Sequence, residues 1–290
     1  MTVIQSVLLG ILQGVAEFLP ISSSGHLALA QKLFSLEDVP LLYDVMLHLA
    51  TLLAVVIFFR QKIGRLFSCL FRWIFRRQPK EFQDSDDILT GSDETGRKTI
   101  LAIIASTVVT AVIGIFTGKF IPELSIKFTC AGFIVTAALL LFSSWIEKKS
   151  ALKNPFGDSS ENPSVSKKGI SIKQGLFIGL MQGVGTLPGI SRSGSTIAGA
   201  QLAKVSRTQA GECSFIVSIP AILGAFVLEL KDLDKISSSV GFVQVFAGCL
   251  AAFVSGYLAL SFLMKLIRRG KLQWFAAYLI PLGIAGLLFF

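Results

Sequence analysis

Apolar residues run along this chain in long uninterrupted blocks. Six blocks reach the length of about 20 residues that a helix needs to cross a bilayer: Leu41–Phe59, Thr99–Phe120, Phe128–Ile146, Gln209–Leu228, Phe242–Met264 and Trp274–Phe290. Two further blocks, Val3–Leu19 and Ile170–Leu187, stop at Pro20 and Pro188. Each then passes through a stretch dense in Gly and Ser and resumes only briefly, as Leu27–Phe34 and Ser195–Ala203. A helix of about nine residues rises only ~14 Å, too little to cross. Each unit therefore predicts a re-entrant helix hairpin, whose non-helical tip must be buried in protein or line a wet cavity.

Composition agrees with this pattern. Apolar types make up 52% of the 290 residues and charged types 16%, against roughly 25% charged in soluble domains; mean hydropathy is +0.70. An ordinary soluble enzyme, a disordered chain and a collagen-like fibre are excluded, and blocks without alternation argue against a barrel. The predicted class is an all-α polytopic membrane protein. The opening MTVIQSVLLG has no positive n-region and is not expected to be a cleaved signal. Cys69, Cys130, Cys213 and Cys249 form no CxxC and read as small packing residues, with no disulfide or zinc site implied.

The net charge of +9 raises the question of nucleic acid, but the positions of the basic residues answer it. Nine lie between Phe59 and Thr99, six between Ile146 and Gln174, two at Lys204 and Arg207, and four at Lys265–Lys271. With two re-entrant hairpins and six spans, all twenty-one fall on one side, and five (Lys32, Lys119, Lys127, Lys231, Lys235) on the other. The basic side is expected to be cytoplasmic, with loops at 60–98 and 147–173, and no nucleic-acid partner is implied. The first hairpin then enters from outside and the second from inside. Three spans follow each, so residues 1–146 and 170–290 are expected to form two inverted repeats within one membrane domain. The halves also look alike: Gln13-Gly14-Val15 matches Gln182-Gly183-Val184, and Leu19-Pro20-Ile21-Ser22-Ser23-Ser24-Gly25 resembles the run Leu187–Gly194 with one inserted glycine. Such repeats with broken helices have a transporter-like architecture. Gln78–Gly96 and Ser150–Ser166 read as flexible polar loops.

Ionisable groups at membrane depth are costly and point to function. Glu17 follows Gln13 by four residues, so both project from one helix face, where their oxygens can share a divalent cation, Mg²⁺ or Ca²⁺. The plainer alternative is a hydrogen bond across the repeat interface. His26 closes the run Ser22-Ser23-Ser24-Gly25-His26, which brings hydroxyls and an imidazole together as nucleophile and base chemistry requires. Asp44 and His48 are one turn apart and can neutralise each other; Glu212 lies near the start of a span. In the second hairpin, Pro188-Gly189-Ile190-Ser191-Arg192-Ser193-Gly194-Ser195-Thr196 combines glycines, hydroxyls and a guanidinium fork. These groups suit phosphate oxygens, although the run is not a Walker A loop. The alternative for Arg192 is snorkelling to the interface. Together the two hairpins point to phosphoryl transfer or hydrolysis on a membrane-embedded lipid.

Gln13-x-x-x-Glu17 followed by Phe18–His26 resembles the first signature of the undecaprenyl-diphosphatase family, also called the bacitracin-resistance proteins, and Pro188–Thr196 resembles its second. Asp44–His48 and Ile219–Ala225 also match family stretches. The resemblance covers nearly the whole chain. It implies a bacterial inner-membrane hydrolase that removes the terminal phosphate of undecaprenyl diphosphate, returns the carrier lipid to cell-wall synthesis and confers bacitracin resistance. It assigns Gln13 and Glu17 to a metal site, Ser23 and His26 to catalysis, and Ser191, Arg192 and Thr196, with Ser193 between them, to phosphate binding. Ser23 is expected to attack phosphorus with His26 as base. Gln13 is the neutral option at its position and weakens the metal site; Ala50 replaces a family glycine. The loop after Phe59 is long for the family. A flippase or transporter of an anionic prenyl-phosphate lipid is the alternative, supported by the inverted repeats, but transport needs no nucleophile. The partners implied are the polyprenyl diphosphate and the bilayer, and a homodimer is left open.

The charge split predicts topology. Single cysteines introduced at Gln78 and Asn154 should react with an impermeant thiol reagent only from the cytoplasmic side, and one at Asp234 only from outside. Labelling at Asp234 from the cytoplasm would overturn the inverted arrangement.

Overall fold

A computed structural model describes residues 1–36, 39–81, 87–120, 125–153, 169–230 and 240–289. The described helices, in chain order, are α1 (Val3–Phe18), α2 (Ser23–Leu33), α3 (Leu41–Phe58), α4 (Arg60–Ile74), α5 (Asp93–Phe120), α6 (Ile126–Lys153), α7 (Ile172–Val184), α8 (Arg192–Leu202), α9 (Arg207–Glu229), α10 (Phe242–Arg268) and α11 (Trp274–Phe289). No strand occurs among the described residues. Five helices, α3, α5, α6, α9 and α10, are long and apolar enough to cross a membrane. Their outer faces are apolar: Ile104, Val108, Val112 and Ile115 stand exposed on α5, and Phe246, Leu250, Val254, Leu258 and Phe262 on α10. Serine and threonine hydroxyls lie inside instead, including those of Ser6, Thr51, Ser106, Thr110 and Thr136. An apolar exterior around a polar interior suits a hydrocarbon solvent, and the chain is a multi-pass membrane protein.

Three expectations change in detail. Trp274–Phe290, expected as a sixth span, forms α11 over 16 apolar residues and is not among the five helices long enough by themselves to cross. The region 60–98 is not one loop, because α4 occupies its start and α5 begins at Asp93. Nor is Gln78–Gly96 free of the body. Lys62 Nζ meets Asp87 Oδ2 at 2.7 Å and Glu212 Oε2 at 2.6 Å, and Arg72 donates twice to Asp93, at 2.7 and 2.5 Å. Burial opposes the charge on Asp87. The Lys62 ammonium, with hydrogen bonds from Lys62, the Leu89 amide and the Thr90 hydroxyl, outweighs it and holds the carboxyl below its usual range. Of the polar stretch Ser150–Ser166, residues 154–166 lie outside the described residues, as does Asp234.

The first proline stop acts as expected: Leu19 turns extended (φ −62°, ψ 140°) ahead of Pro20 and ends α1. The second does not, because α7 already ends at Val184 and a turn through Gly185–Leu187 precedes Pro188. In both cases a short helix follows and packs back on the first, giving hairpins α1–α2 and α7–α8. Small residues hold these hairpins in the bundle. A Cβ on Gly10 would overlap the Gly248 carbonyl, and one on Gly14 would overlap Ser255 and Ala252, so α1 lies directly on α10. In the other half a Cβ on Gly175 or Gly179 would come within 2.6 Å of the Ala102 or Ser106 carbonyl oxygen, so α7 lies directly on α5. The first helix of each hairpin thus packs on a long span of the opposite half. Close backbone approach through small residues is how helices associate where burial of apolar area supplies no drive.

Candidate active site

Ser22 caps the start of α2, where its hydroxyl accepts the Gly25 amide at 3.4 Å, and its backbone takes a positive φ of 72°. Ser191 caps α8 in the same way, accepting the Gly194 amide at 3.1 Å. Ahead of it, Gly189 sits at φ +82°, pressed against the Thr129 carbonyl of α6 so closely that no side chain fits. The two breaks touch: a Cβ on Gly194 would lie 3.2 Å from Pro20 Cβ, and the Ser193 hydroxyl reaches the Leu19 carbonyl at 3.4 Å. As a result Ser23 and Arg192, the first residues of α2 and α8, arrive beside the last turn of α1.

Glu17 lies at that junction, buried. Its Oε1 is paired with Arg192 Nη2. Its Oε2 accepts the Ser23 hydroxyl at 2.7 Å and Gln13 Nε2 at 3.1 Å, and His48 Nε2 lies 3.3 Å away. Four of the residues singled out from sequence (Gln13, Glu17, Ser23, Arg192) are brought together. Ser191, Ser193 and Thr196 are buried behind Arg192; Thr196 hydrogen-bonds the Arg192 carbonyl at 2.7 Å and also bonds the Ser214 hydroxyl. They support the first turn of α8.

His26 is not brought to Ser23. Its Nδ1 lies 2.7 Å from the Ser22 carbonyl and its Nε2 2.8 Å from the Tyr278 hydroxyl. A carbonyl only accepts, so Nδ1 carries a proton, and Nε2 is bonded to the Tyr278 hydroxyl. Both nitrogens are occupied, and the ring packs between Phe133 and Tyr278. The expected Ser23–His26 pair is therefore not formed; the base beside Ser23 is Glu17. The Asp44–His48 neutralisation is also not made. Asp44 accepts from Gln31 at 2.8 Å, while His48 Nδ1 donates to the Asp44 backbone carbonyl at 2.8 Å. His48 Nε2 faces Glu17 Oε2 at 3.3 Å. Being one of two histidines in the chain, inside an apolar block, was the sequence signal for His48. Nothing in the spacing tied it to Glu17.

A small cleft, with about 10 Å³ of free space, opens at this junction. Glu17, Arg192, Ser193 and Thr196 line it together with Leu52, Val55, Phe215 and Ile222. An anionic head and an apolar tail would both find matching walls. One polar atom beside the junction is unanswered: Gln13 Oε1 is fully buried with no hydrogen-bond partner. Gln13 presents Nε2 to Glu17 here; with its amide turned and Arg192 displaced, Gln13 Oε1, Glu17 and the Ser23 hydroxyl would be the hard oxygen donors for Mg²⁺ or Ca²⁺. No cluster of three or more His, Cys, Asp or Glu exists among the described residues, so any cation here would rest on Glu17 with neutral oxygens.

Sequence comparison matches residues 6–285 to the family described as Bacitracin resistance protein BacA. A protein of Treponema denticola is 43% identical over 290 residues, covering all of this chain and 98% of its own. One of Borrelia recurrentis is 36% identical, covering 99% and 98%, and one of Carboxydothermus hydrogenoformans 35%, covering 97% and 94%. All three carry the name undecaprenyl-diphosphatase.

The Glu17–Arg192 pair predicts strong energetic coupling. Glu17→Gln or Arg192→Met leaves a buried charge without its partner, and each should destabilise by about 3 kcal/mol. The double variant should recover part of that loss. Thermal unfolding of the purified protein in detergent checks this; additive losses would show the pair to be uncoupled.

Proposed function

The chain belongs to the bacitracin resistance protein BacA family, and we propose that it is an undecaprenyl-diphosphatase of the bacterial inner membrane. It hydrolyses the terminal phosphate of undecaprenyl diphosphate, yields undecaprenyl phosphate, and in doing so confers bacitracin resistance. The observation that carries this reading is the meeting of Ser23, Arg192 and the N-termini of α2 and α8 at one buried carboxylate. Helix N-termini and a guanidinium fork favour phosphate oxygens, and the apolar residues of the cleft favour the prenyl chain.

The arrangement suggests the following chemistry. The diphosphate displaces the Glu17 carboxylate from Arg192 and takes the guanidinium for itself. Ser23 Oγ attacks the terminal phosphorus, Glu17 accepts the hydroxyl proton, and His48 holds the carboxylate in place. The P–O bond to the bridging oxygen breaks, and undecaprenyl phosphate leaves. The departing undecaprenyl phosphate takes the proton from Glu17. Glu17, a carboxylate again, accepts a proton from water as its oxygen attacks the phosphoserine phosphorus, and passes that proton to Ser23 Oγ as the ester P–O bond breaks and inorganic phosphate leaves. His26, held by Ser22 and Tyr278, positions the first turn of α2. Gln13 Oε1, Glu17 and the Ser23 hydroxyl are the groups that would hold a divalent cation, and such an ion supplies neutralisation of phosphate charge when bound. The equivalence of the α1–α10 and α7–α5 packings supports two inverted repeats, which the cysteine labelling above tests. A transporter of the same lipid has no use for a hydroxyl bonded to a carboxylate, which favours the enzyme.

Purified protein given undecaprenyl diphosphate should release inorganic phosphate. A chelator should suppress release, and added Mg²⁺ or Ca²⁺ should restore it. Arg192→Lys keeps the charge but loses the fork, so turnover should fall by about two orders of magnitude, roughly 2.7 kcal/mol of transition-state stabilisation. A quenched reaction with labelled substrate should yield an acid-stable phosphoserine at Ser23. An acid-labile adduct on His26 would overturn the assigned nucleophile, and a monodisperse protein that releases no phosphate would overturn the function.

A further inference from the structure

The phosphatase reading leaves α4 unexplained. Residues 60–80 carry seven basic and no acidic side chains. Positive charge beside a span is an ordinary topology signal, but it does not account for the apolar residues that α4 turns outward. The helix has three faces. Leu66 and Cys69 are buried, and with Leu70 and Trp73 they pack on the cluster containing Ile88, Leu89 and Ile100. Gln61 and Ser68 are exposed polar residues. Phe67, Phe71 and Ile74, with Phe75 just beyond, form a third stripe that the protein leaves uncovered, with Phe67 67% and Ile74 64% exposed. These residues recur at intervals of three and four and so share one side of the helix. The Phe71 and Phe75 rings are 4.4 Å apart, and the Arg77 guanidinium lies over the Phe71 ring at 5.3 Å.

The tethers of α4 set its place. Only Phe59 separates it from the span α3. Lys62 is tied to Glu212 in the second turn of α9, and Arg72 to Asp93, the first residue of α5. Both anchor points lie at the N-terminal ends of spans that follow basic segments. They hold α4 at the basic end of the bundle, where the spans meet the interface. There its uncovered stripe can enter acyl chains while Arg60, Arg76 and Arg77, all exposed, stay among headgroups.

We propose that α4 is an interfacial helix that binds anionic phospholipid, its Phe67–Phe75 stripe set into the bilayer and its arginines on the headgroup phosphates. An apolar face with flanking basic residues and no acid is the pattern of helices that lie in an anionic interface, and each Lys or Arg near such a surface contributes about fivefold to local partition. The inference is independent of the proposed enzymatic activity.

The test uses the full chain with Phe71 replaced by the photo-crosslinker p-benzoylphenylalanine, reconstituted in mixed phosphatidylcholine–phosphatidylglycerol vesicles. Val112, exposed on α5, takes the same crosslinker as the mid-span control. After irradiation, mass spectrometry reads the lipid attached. At position 71, phosphatidylglycerol adducts should exceed the bulk lipid ratio by at least about threefold; at position 112 they should follow it. Arg76→Gln with Arg77→Gln should abolish the enrichment at 71 while lipid adducts persist. Lipid adducts at 112 but none at 71 would place the stripe in water and overturn the proposal. Adducts at 71 in the bulk ratio would overturn its anionic specificity, and a cross-link to a second copy would reassign the face to self-association.

Discussion

A carboxylate inside an apolar bundle is tolerated only while its charge and its lone pairs are answered by nearby groups. Glu17 sets that condition, and much of the architecture can be traced to it. The answering groups are Arg192 on one oxygen and Ser23, Gln13 and His48 on the other. They come from α1, α2, α3 and α8, far apart in sequence. For Ser23 and Arg192 to reach the same carboxylate, α1 and α7 must both break at membrane depth, and the two breaks must touch. Pro20 forces the first break. At the second, Gly189 and Gly132 let the chain lie on α6 with no side chain between.

The two hairpins are built alike but contribute different chemistry. Ser22 and Ser191 are equivalent caps, and Gly25 and Gly194 are the equivalent amides that they accept. The residue after each cap is the first of its helix, Ser23 in one half and Arg192 in the other. One hairpin thus supplies a hydroxyl next to a carboxylate, and the other supplies the cation that neutralises it. Bound diphosphate would replace Glu17 on Arg192 and leave Glu17 free to accept a proton. In the mechanism proposed above, the same pair serves stability without ligand and catalysis with it, because a guanidinium suits both a carboxylate and a phosphate.

His26 and His48 show how packing redistributes roles. The serine run beside His26 suggested a nucleophile–base pair, but the turn that caps α2 directs its imidazole to the Ser22 carbonyl and to Tyr278 on α11. His48, whose neighbour in sequence is Asp44, turns to Glu17. In each case the backbone carbonyl one turn earlier takes Nδ1 and so directs Nε2 toward another helix.

The sequence by itself determined the membrane class, the two broken-helix hairpins, the likeness between the halves, and the identities of Gln13, Glu17, Ser23 and Arg192 as groups needing an explanation. These follow from composition, from block length against bilayer thickness, and from the energetic penalty on buried charge, all of which are local or additive along the chain. The tertiary structure alone decided which base faces Ser23, that His48 joins the site, that Tyr278 holds His26, and that α4 forms a tethered helix in a stretch read as loop. Each of these depends on a contact between segments distant in sequence. Such contacts are set by which glycines allow backbones to close on one another and by which way a capped turn directs its side chains. Neither leaves a periodicity or spacing in the chain from which it could be read.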